Sequence, residues 1–324
     1  LLKSWDLEPK NLPVKVFVPF GKKEEYEVEG IPFDETFALL PSELKIDEWV
    51  SIFNIEFTSP AAILITRIIS HLENKEIFLI SDIEKEVEKD SKSTKETKEI
   101  VLSLFSAAKS WGIFSDKEEG TQISDLINPG TTTILDISVY SSSSSFNIRA
   151  LVTSLISRKI FQNRMRSRKK EELEALRHGQ DYLSYKSEHS DPLVWLFLDE
   201  AHEFLRKDEK TPATDALIQV LREGRQPGIS IVLATQQPGQ IHKDVMTQSD
   251  IVISHKLTAK PDIEALNEIM QSYFLKHIKQ ELDELPSTKG SAILLDDNSE
   301  RIYPIRVRPK FTWHGGEAPT AVRA

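Results

Sequence analysis

Two adjacent carboxylates follow the most apolar short stretch of this chain. Residues 192–205 read PLVWLFLDEAHEFL, and Asp199 and Glu200 come directly after the apolar run. We interpret LVWLFLDE as a buried strand, and ligands of open parallel sheets bind beyond the carboxyl ends of the strands. There Asp199 can hold Mg²⁺, directly or through water, and Glu200 can orient and deprotonate an attacking water. The alternative is a strand-to-helix junction, where the helix dipole favours acidic residues.

A second polar pair follows the next predicted strand. Residues 229–238 read ISIVLATQQP, so that Thr235 and Gln236 end an apolar strand. An amide at this position is well placed to sense a γ-phosphate and to hold a water molecule. Upstream, in LREGRQPG, Arg222 and Arg225 lie near a helix end. They can cap that helix, or they can act as an arginine finger that reaches the phosphate bound by a neighbouring subunit.

The elements that position these residues alternate between strand and helix. Strand patterns occur at residues 12–20, 131–139, 193–200, 229–237, 251–257, 290–297 and 301–309. The pattern is helical between about residues 40 and 115, where Ser59 and Pro60 mark a helix start. Further helices are predicted after residues 141 and 211 and at residues 261–274. This order predicts an α/β fold with a mainly parallel sheet flanked by helices, plus an all-helical subdomain.

Composition limits the class of protein. The chain has 39% hydrophobic and 28% charged residues, which is typical of soluble globular proteins. Since no apolar run reaches the roughly 18 residues that span a membrane, we expect no membrane insertion. The absence of cysteine excludes disulfides and thiolate metal sites and fits a cytoplasmic protein. The net charge of -10 repels phosphate, so a nucleic-acid partner needs a local basic surface.

Three ordered segments resemble the HerA/FtsK branch of the P-loop ATPases. They read LFLDEAHEFL, LREGRQPGISIVLATQQPGQI and IRVRPKFTWHGG, and the resemblance covers roughly residues 125–316. It implies a RecA-like P-loop NTPase core that hydrolyses ATP with Mg²⁺ and forms homohexameric rings around double-stranded DNA. Archaeal HerA-like members work with a nuclease in recombinational repair. On this resemblance we assign residues 1–38 to the ATPase core, residues 39–118 to a helical insertion and residues 119–324 to the C-terminal majority of the core.

The resemblance also implies roles for individual residues. Asp199 would be the acid on the Mg²⁺ side, with Thr235 beside the nucleotide, and Glu200 would be the catalytic base. Gln236 would be the sensor. Arg225, with Arg222 as the second choice, would be the finger that acts in trans.

One dense basic segment is a candidate for DNA contact. Residues 157–172 read SRKIFQNRMRSRKKEE, and in a ring-shaped motor such a segment can face the DNA backbone, which is recognised by charge. The alternative is a solvated helix face that is balanced by the neighbouring glutamates. The candidate DNA contacts are Arg164, Arg166, Arg168, Lys169 and Lys170.

The phosphate-binding loop of the family is missing from the sequence. That loop requires G-x-x-x-x-G-K-[ST], and the best match, PFGKKEEY at residues 19–26, lacks the first glycine and the final hydroxyl residue. Because residue 1 is Leu and the acidic pair is intact, we expect that an N-terminal part was removed and that this polypeptide alone hydrolyses ATP poorly. The alternatives are a non-hydrolysing RecA-like scaffold and a secretion- or conjugation-type ATPase that acts on protein or DNA at a membrane complex.

Other residues receive structural interpretations. His202 is interpreted as a surface or packing histidine on the helix after the acidic pair, with a role near the nucleotide as the alternative. Trp49, Trp111 and Trp195 are interpreted as core residues rather than as platforms for base stacking.

Overall fold

A computed structural model describes residues 2–140, 147–177, 191–269, 282, 284–299 and 301–312. Contacts divide the chain into two compact units. The larger unit spans Val14–Gln236, and the smaller unit joins Leu1–Pro13 to Gln237–Ala324. Residues 39–118 fall in the same unit as the strands that precede and follow them. The predicted boundaries after residues 38 and 118 therefore stay a prediction.

The strands of the larger unit are parallel, as the alternation of elements predicts. β1 (Val14–Pro19) lies between β2 (Glu35–Phe37) and β3 (Thr132–Leu135). β4 (Val194–Leu198) pairs with β5 (Ile229–Leu233), residue for residue from one end to the other. Because the two strands are parallel and in register, the residues that follow them emerge at the same edge.

The region between β2 and β3 is helical, as predicted, and it holds most of the core. Ser59 accepts a hydrogen bond from the backbone N–H of Ala62 at 3.2 Å, which is the expected N-cap ahead of Pro60. Trp49 is fully buried and packs against Phe105 with ring centroids 5.0 Å apart. Helix α1 (Lys23–Glu29) precedes β2, and the helices of this region are α2 (Ile46–Ile52), α3 (Pro60–Leu72), α4 (Ile80–Lys89), α5 (Lys95–Ser110) and α6 (Ile123–Leu126).

An ion pair fixes the connection between α4 and α5 to α3. The guanidinium of Arg67 lies 3.0 Å from Oδ1 of Asp90, and Oδ2 of Asp90 accepts the backbone N–H of Ser93 at 2.8 Å. Burial by itself would raise the pKa of Asp90, but the hydrogen bonds from Ser93 and the charge of Arg67 outweigh it and hold that pKa below its ordinary value. Asp90 is thus held in its ionised form.

The long helix α7 (Ile148–Arg177) has 30 residues and runs without interruption. At 1.5 Å per residue it is about 45 Å long. Arg158 pairs with the buried Glu48 at 2.5 Å, and Lys159 pairs with Glu43 at 2.6 Å. These two ion pairs connect α7 to the turn and helix around α2. Helix α8 (Thr214–Glu223) then leads into β5.

The smaller unit contains an antiparallel sheet in the order β6-β7-β8. Its elements are α9 (Lys243–Thr247), β6 (Ile251–His255), α10 (Lys260–Ile269), β7 (Ser291–Asp296) and β8 (Arg301–Arg306). The parallel pairing of the larger unit thus does not continue into these strands. The end of the predicted helix at residues 270–274 and the end of the third resembling segment at residues 313–316 lie outside the described residues.

The beginning of the chain packs within this smaller unit. The ring of Trp5 lies 5.2 Å from the guanidinium carbon of Arg306. The backbone N–H of Lys10 donates to the carbonyl oxygen of Phe311 at 3.2 Å, and Arg308 stacks on the same Phe311 ring. Arg306 of β8 and Arg308 of the following segment are therefore engaged with aromatic rings of their own chain.

Candidate functional site

The acidic pair lies in a sharp turn directly after β4. Strand β4 ends at Leu198, and Glu200 has φ 47° and ψ 46°, a left-handed conformation that costs a non-glycine residue about 1–3 kcal/mol. The turn is tied to the end of β5, because Ala201 N–H donates to the Ala234 carbonyl at 2.8 Å and Ala234 N–H donates to the Leu198 carbonyl at 2.9 Å. The surrounding hydrogen bonds thus hold Glu200 in a conformation that it would otherwise avoid.

The structure brings the second acid and the amide into direct contact. Gln236 Nε2 donates to Glu200 Oε1 at 2.6 Å. The carboxylate of Asp199 turns back on the chain, where its Oδ1 accepts the backbone N–H of Glu200 at 3.0 Å. The carboxyl ends of β4 and β5 therefore place both predicted acids and the predicted sensor in one small cluster, although their roles stay predictions.

The oxygen ligands at this cluster fit a Mg²⁺ ion that is shared with substrate phosphates, as in phosphoryl-transfer sites. Asp199 is exposed, and one carboxylate oxygen with water and substrate phosphates is a common ligand set for Mg²⁺. Glu200 Oε2 is buried and has no hydrogen-bond partner among the described residues. In the described part of the chain no group of three or more His, Cys, Asp or Glu side chains could hold a metal ion by itself. A metal here would thus depend on water and phosphates for its remaining ligands.

One residue of the cluster was predicted as a surface or packing histidine, with a role near the nucleotide only as the alternative. His202 Nδ1 lies 3.0 Å from Thr235 Oγ1 and 3.5 Å from Glu200 Oε2. Its side chain is 17% exposed, and the short 3-10 turn at Ala201–Glu203 carries it back over the strand ends. In the sequence, its position two residues after Glu200 is the only signal. The tight turn that uses this spacing cannot be read from the sequence.

The sheet face next to Asp199 is not covered by the described residues. Trp195 is 64% exposed and Phe197 is 66% exposed, and their stacked rings are 6.2 Å apart. Asp199 occupies the next alternate position along this face. The expectation that β4 is buried on both faces and that Trp195 is a core residue is wrong, whereas Trp49 and Trp111 are in the core as predicted. Parallel sheets normally have both faces covered.

The two arginines before β5 lie away from the acidic pair of the same chain. Arg222 is in the last turn of α8, Arg225 is in the following turn, and both are exposed. Gln236 follows β5, whereas Arg225 precedes it, so the five-residue strand separates them. At about 3.3 Å per residue, this strand alone spans about 16 Å. The chain therefore does not bring Arg225 to its own Glu200.

The basic segment divides into buried and exposed side chains. Arg164 is 1% exposed and donates to the carbonyl oxygens of Pro227 at 2.8 Å and Asp191 at 2.7 Å. It therefore cannot serve as the predicted DNA contact, because its guanidinium is used to hold the loops that enter β4 and β5. Arg168 pairs with neighbouring glutamates on α7. The exposed cations of the predicted set are Arg166, Lys169 and Lys170.

Comparison with protein families places the cluster in a known context. Residues 181–284 match the family described as helicase HerA-like C-terminal. A probable DNA double-strand break repair helicase HerA of Methanocaldococcus jannaschii is 36% identical over 69 residues, which is 21% of this chain and 14% of that relative. The alignment thus spans only a small part of the relative's length.

Comparison with solved structures identifies the fold. VirB4 of Thermoanaerobacter pseudethanolicus is similar with a TM-score of 0.50 and 11% identity, over 93% of this chain and 82% of that chain. The genome packaging NTPase B204 of Sulfolobus turreted icosahedral virus 2, in complex with AMPPCP, has a TM-score of 0.36 and 15% identity, over 57% and 72% of the two chains. The likeness to VirB4 concerns the fold alone, which is the predicted RecA-like α/β fold. Among the described residues, none of the helices has the length and apolar character needed to cross a bilayer.

Proposed function

We propose that the chain belongs to the HerA-like branch of the P-loop ATPases and is part of an ATP-driven DNA translocase or helicase subunit, because residues 181–284 match the family described as helicase HerA-like C-terminal. The observation that carries the proposal is the contact of Gln236 with Glu200 at 2.6 Å, at the carboxyl edge of two parallel strands. Such an edge is where open α/β sheets bind their ligands.

The chemistry of the cluster follows from its side chains. Glu200 accepts the proton of the attacking water, and Gln236 orients both the carboxylate and that water. Asp199 holds Mg²⁺ through oxygen or bound water. When bound, the ion supplies charge neutralisation on the phosphates. The strained turn fixes Glu200 before the substrate arrives, so that little reorganisation is needed during the reaction.

The phosphate-binding loop is supplied from outside this chain. The uncovered face that carries Trp195 and Phe197 leads directly to Asp199. A segment packed on this face would gain about 25 cal/mol of free energy for each Å² of apolar surface that it buries. It would also bring its own atoms beside Asp199. The uncovered face and the absence of G-x-x-x-x-G-K-[ST] from the chain support the same proposal.

The finger acts between subunits of a ring. Arg225 lies at the opposite edge of the sheet from its own Glu200, and among the described residues its exposed side chain makes no ion pair or hydrogen bond. A neighbour that presents its strand edge to this arginine completes the site, and repetition of this heterologous contact closes a ring. We assign six subunits to the ring on the basis of the family resemblance, with Arg222 as the second candidate for the finger.

The cargo that we propose is double-stranded DNA, bound through its backbone. Arg166, Lys169 and Lys170 are exposed on α7 and can contact phosphates despite the net charge of -10. We place the activity in DNA repair, as the name of the HerA-like relative suggests. A role in recombination, a cytoplasmic location and a nuclease partner are proposed on the family resemblance alone.

The proposal is tested by ATP turnover of the complete gene product with and without duplex DNA. The variant carries Arg166→Glu, Lys169→Glu and Lys170→Glu, and the matched control reverses three exposed lysines elsewhere, at positions 75, 92 and 95. We expect the first variant to lose DNA stimulation and keep its basal turnover, while the control keeps both. Equal DNA stimulation in the two variants would exclude this surface as the DNA contact.

A mixing experiment tests the ring. Subunits carrying Arg225→Ala and subunits carrying Glu200→Gln are both expected to be inactive alone. Mixed rings should recover part of the turnover, because some interfaces then combine an intact Glu200 with an intact Arg225 from the neighbour. Failure of every mixture to recover activity would exclude the arrangement in trans.

A non-hydrolysing scaffold is the second candidate, and one observation favours it. The chain contains no phosphate-binding loop of the required pattern. Reading the complete gene separates the two functions, because a scaffold needs no such loop anywhere in the protein.

A further inference from the structure

We infer that His202 is a positioning residue that locks Glu200 and Thr235 into the geometry needed for hydrolysis; the catalytic part of this inference depends on the proposed function. His202 Nδ1 is 3.0 Å from Thr235 Oγ1 and 3.5 Å from Glu200 Oε2. The same nitrogen therefore faces Thr235, which follows β5, and Glu200, which follows β4.

The surroundings of Glu200 specify which ring nitrogen of His202 carries a proton. Glu200 Oε1 accepts from Gln236, whereas Oε2 is buried without a hydrogen-bond partner among the described residues. If Nδ1 of His202 carried no proton, Glu200 Oε2 would face a second hydrogen-bond acceptor instead of a donor. Leaving a buried carboxylate oxygen without a donor costs free energy. A proton on Nδ1 lies between Oε2 and Thr235 Oγ1 and serves both. The geometry thus assigns the Nδ1–H form to His202.

This arrangement gives each carboxylate oxygen its own contact. Gln236 reaches Oε1 from the end of β5, and His202 reaches Oε2 from the turn after β4. The two contacts restrict rotation of the Glu200 side chain, whose backbone is already held in the left-handed region. Since a displacement of about 1 Å in a reacting group can lower a rate by about 100-fold, a side chain that fixes the base has a measurable effect without touching the substrate.

The tautomer can be measured on this chain as it is, without any ATPase activity. Two other histidines provide references in the same spectrum. His255 Nδ1 lies 2.9 Å from the Ser291 carbonyl oxygen and must donate to it, whereas His242 Nδ1 accepts the backbone N–H of Asp244 at 3.2 Å. Long-range ¹H–¹⁵N spectra of the imidazoles should place His202 Nδ1 with the protonated nitrogen of His255. A signal at the position of the His242 acceptor nitrogen would overturn the inference.

Substitution of Glu200 gives the second part of this measurement. In the Glu200→Gln variant the imidazole signals of His202 should shift, while those of His255 and His242 should stay in place. Unchanged His202 signals would show that its ring does not interact with the acid.

Kinetics of the complete gene product test the positioning role. His202→Leu removes the donor, whereas His202→Asn keeps an N–H donor near the position of Nδ1. We expect His202→Leu to lower kcat by about 10- to 100-fold at unchanged KM for ATP, and His202→Asn to restore most of the loss. Equal losses in both variants, or no loss in either, would overturn the positioning role.

The Glu200→Gln variant, assayed in parallel, separates this inference from the proposed function. If Glu200→Gln abolishes turnover and His202→Leu leaves it unchanged, only the role of His202 is wrong. If Glu200→Gln leaves turnover unchanged, the proposed function fails as well, and the imidazole spectra still decide the tautomer.

Discussion

Replacing Arg164 by methionine should destabilise the larger unit strongly, although the residue belongs to the basic segment that looks like a surface. Its guanidinium is buried and donates to the carbonyl oxygens of Pro227 and Asp191 at 2.8 and 2.7 Å. It also lies 3.3 Å from a carboxylate oxygen of Glu171. Methionine keeps much of the packing volume but removes the donor from the buried Pro227 carbonyl and the partly buried Asp191 carbonyl, each at about 1–1.5 kcal/mol. With the lost ion pair, the total cost is about 3 kcal/mol.

The control is Arg166→Met, which makes the same change of charge two positions along the same helix. Arg166 is exposed, so its replacement should change the free energy of unfolding by less than about 0.5 kcal/mol. Urea denaturation and thermal unfolding measure both variants. For a unit of this size, Arg164→Met should lower the Tm by about 6–12 °C, while Arg166→Met should not change it.

DNA binding should rank the two variants in the opposite order. Arg166→Met should weaken duplex binding and reduce the salt dependence by about one phosphate contact, whereas folded Arg164→Met should bind as the wild type does. The reasoning is refuted if Arg164→Met unfolds at the wild-type midpoint, or if it weakens DNA binding as much as Arg166→Met.

Three further predictions concern stability. The pKa of Asp90 is lowered in the folded protein, so the contribution of Asp90 to the free energy of unfolding is present above the unfolded pKa of about 3.9. That contribution is lost as the pH falls through the folded pKa. Asp90→Asn should therefore lower the urea midpoint at pH 7 and flatten the decline of this midpoint towards pH 3. Glu48→Ala should cost about 3 kcal/mol in denaturant unfolding by leaving a largely buried arginine unpaired, whereas Glu48→Gln should cost less. The double variant Trp195→Thr and Phe197→Thr should leave the stability of this chain within about 0.5 kcal/mol, but should destabilise the complete gene product if a further segment covers that face.

The acidic pair and the amide could be predicted from the sequence because one rule of parallel sheets places them together. Two apolar strands, each followed by polar residues, emerge at one edge when they pair in parallel, and Glu200 and Gln236 do meet there. The helix start at Ser59 was predictable for a similar reason, since N-cap chemistry is local. Local and periodic signals of this kind can be read from the sequence without knowledge of the tertiary structure.

The features that the sequence did not predict depend on contacts between residues that are distant in the sequence. Arg164 lies in a run of cations, and its two carbonyl acceptors belong to the loops before β4 and β5, which are distant in the sequence. Trp195 looks like a core residue, and its exposure follows from what lies beside the strand and not from the strand itself. His202 enters the cluster through a turn whose left-handed residue is a glutamate, a conformation that residue type does not predict.

ATP turnover of the complete gene product with Glu200→Gln tests the central claim most directly. The matched control is Glu203→Gln, which makes the same isosteric change three residues away, on a carboxylate that pairs with Arg149 at 2.8 Å. The claim predicts that Glu200→Gln lowers kcat by about 100-fold or more while nucleotide binding persists, and that Glu203→Gln stays within about threefold of the wild type. Turnover by Glu200→Gln at the wild-type rate would contradict it.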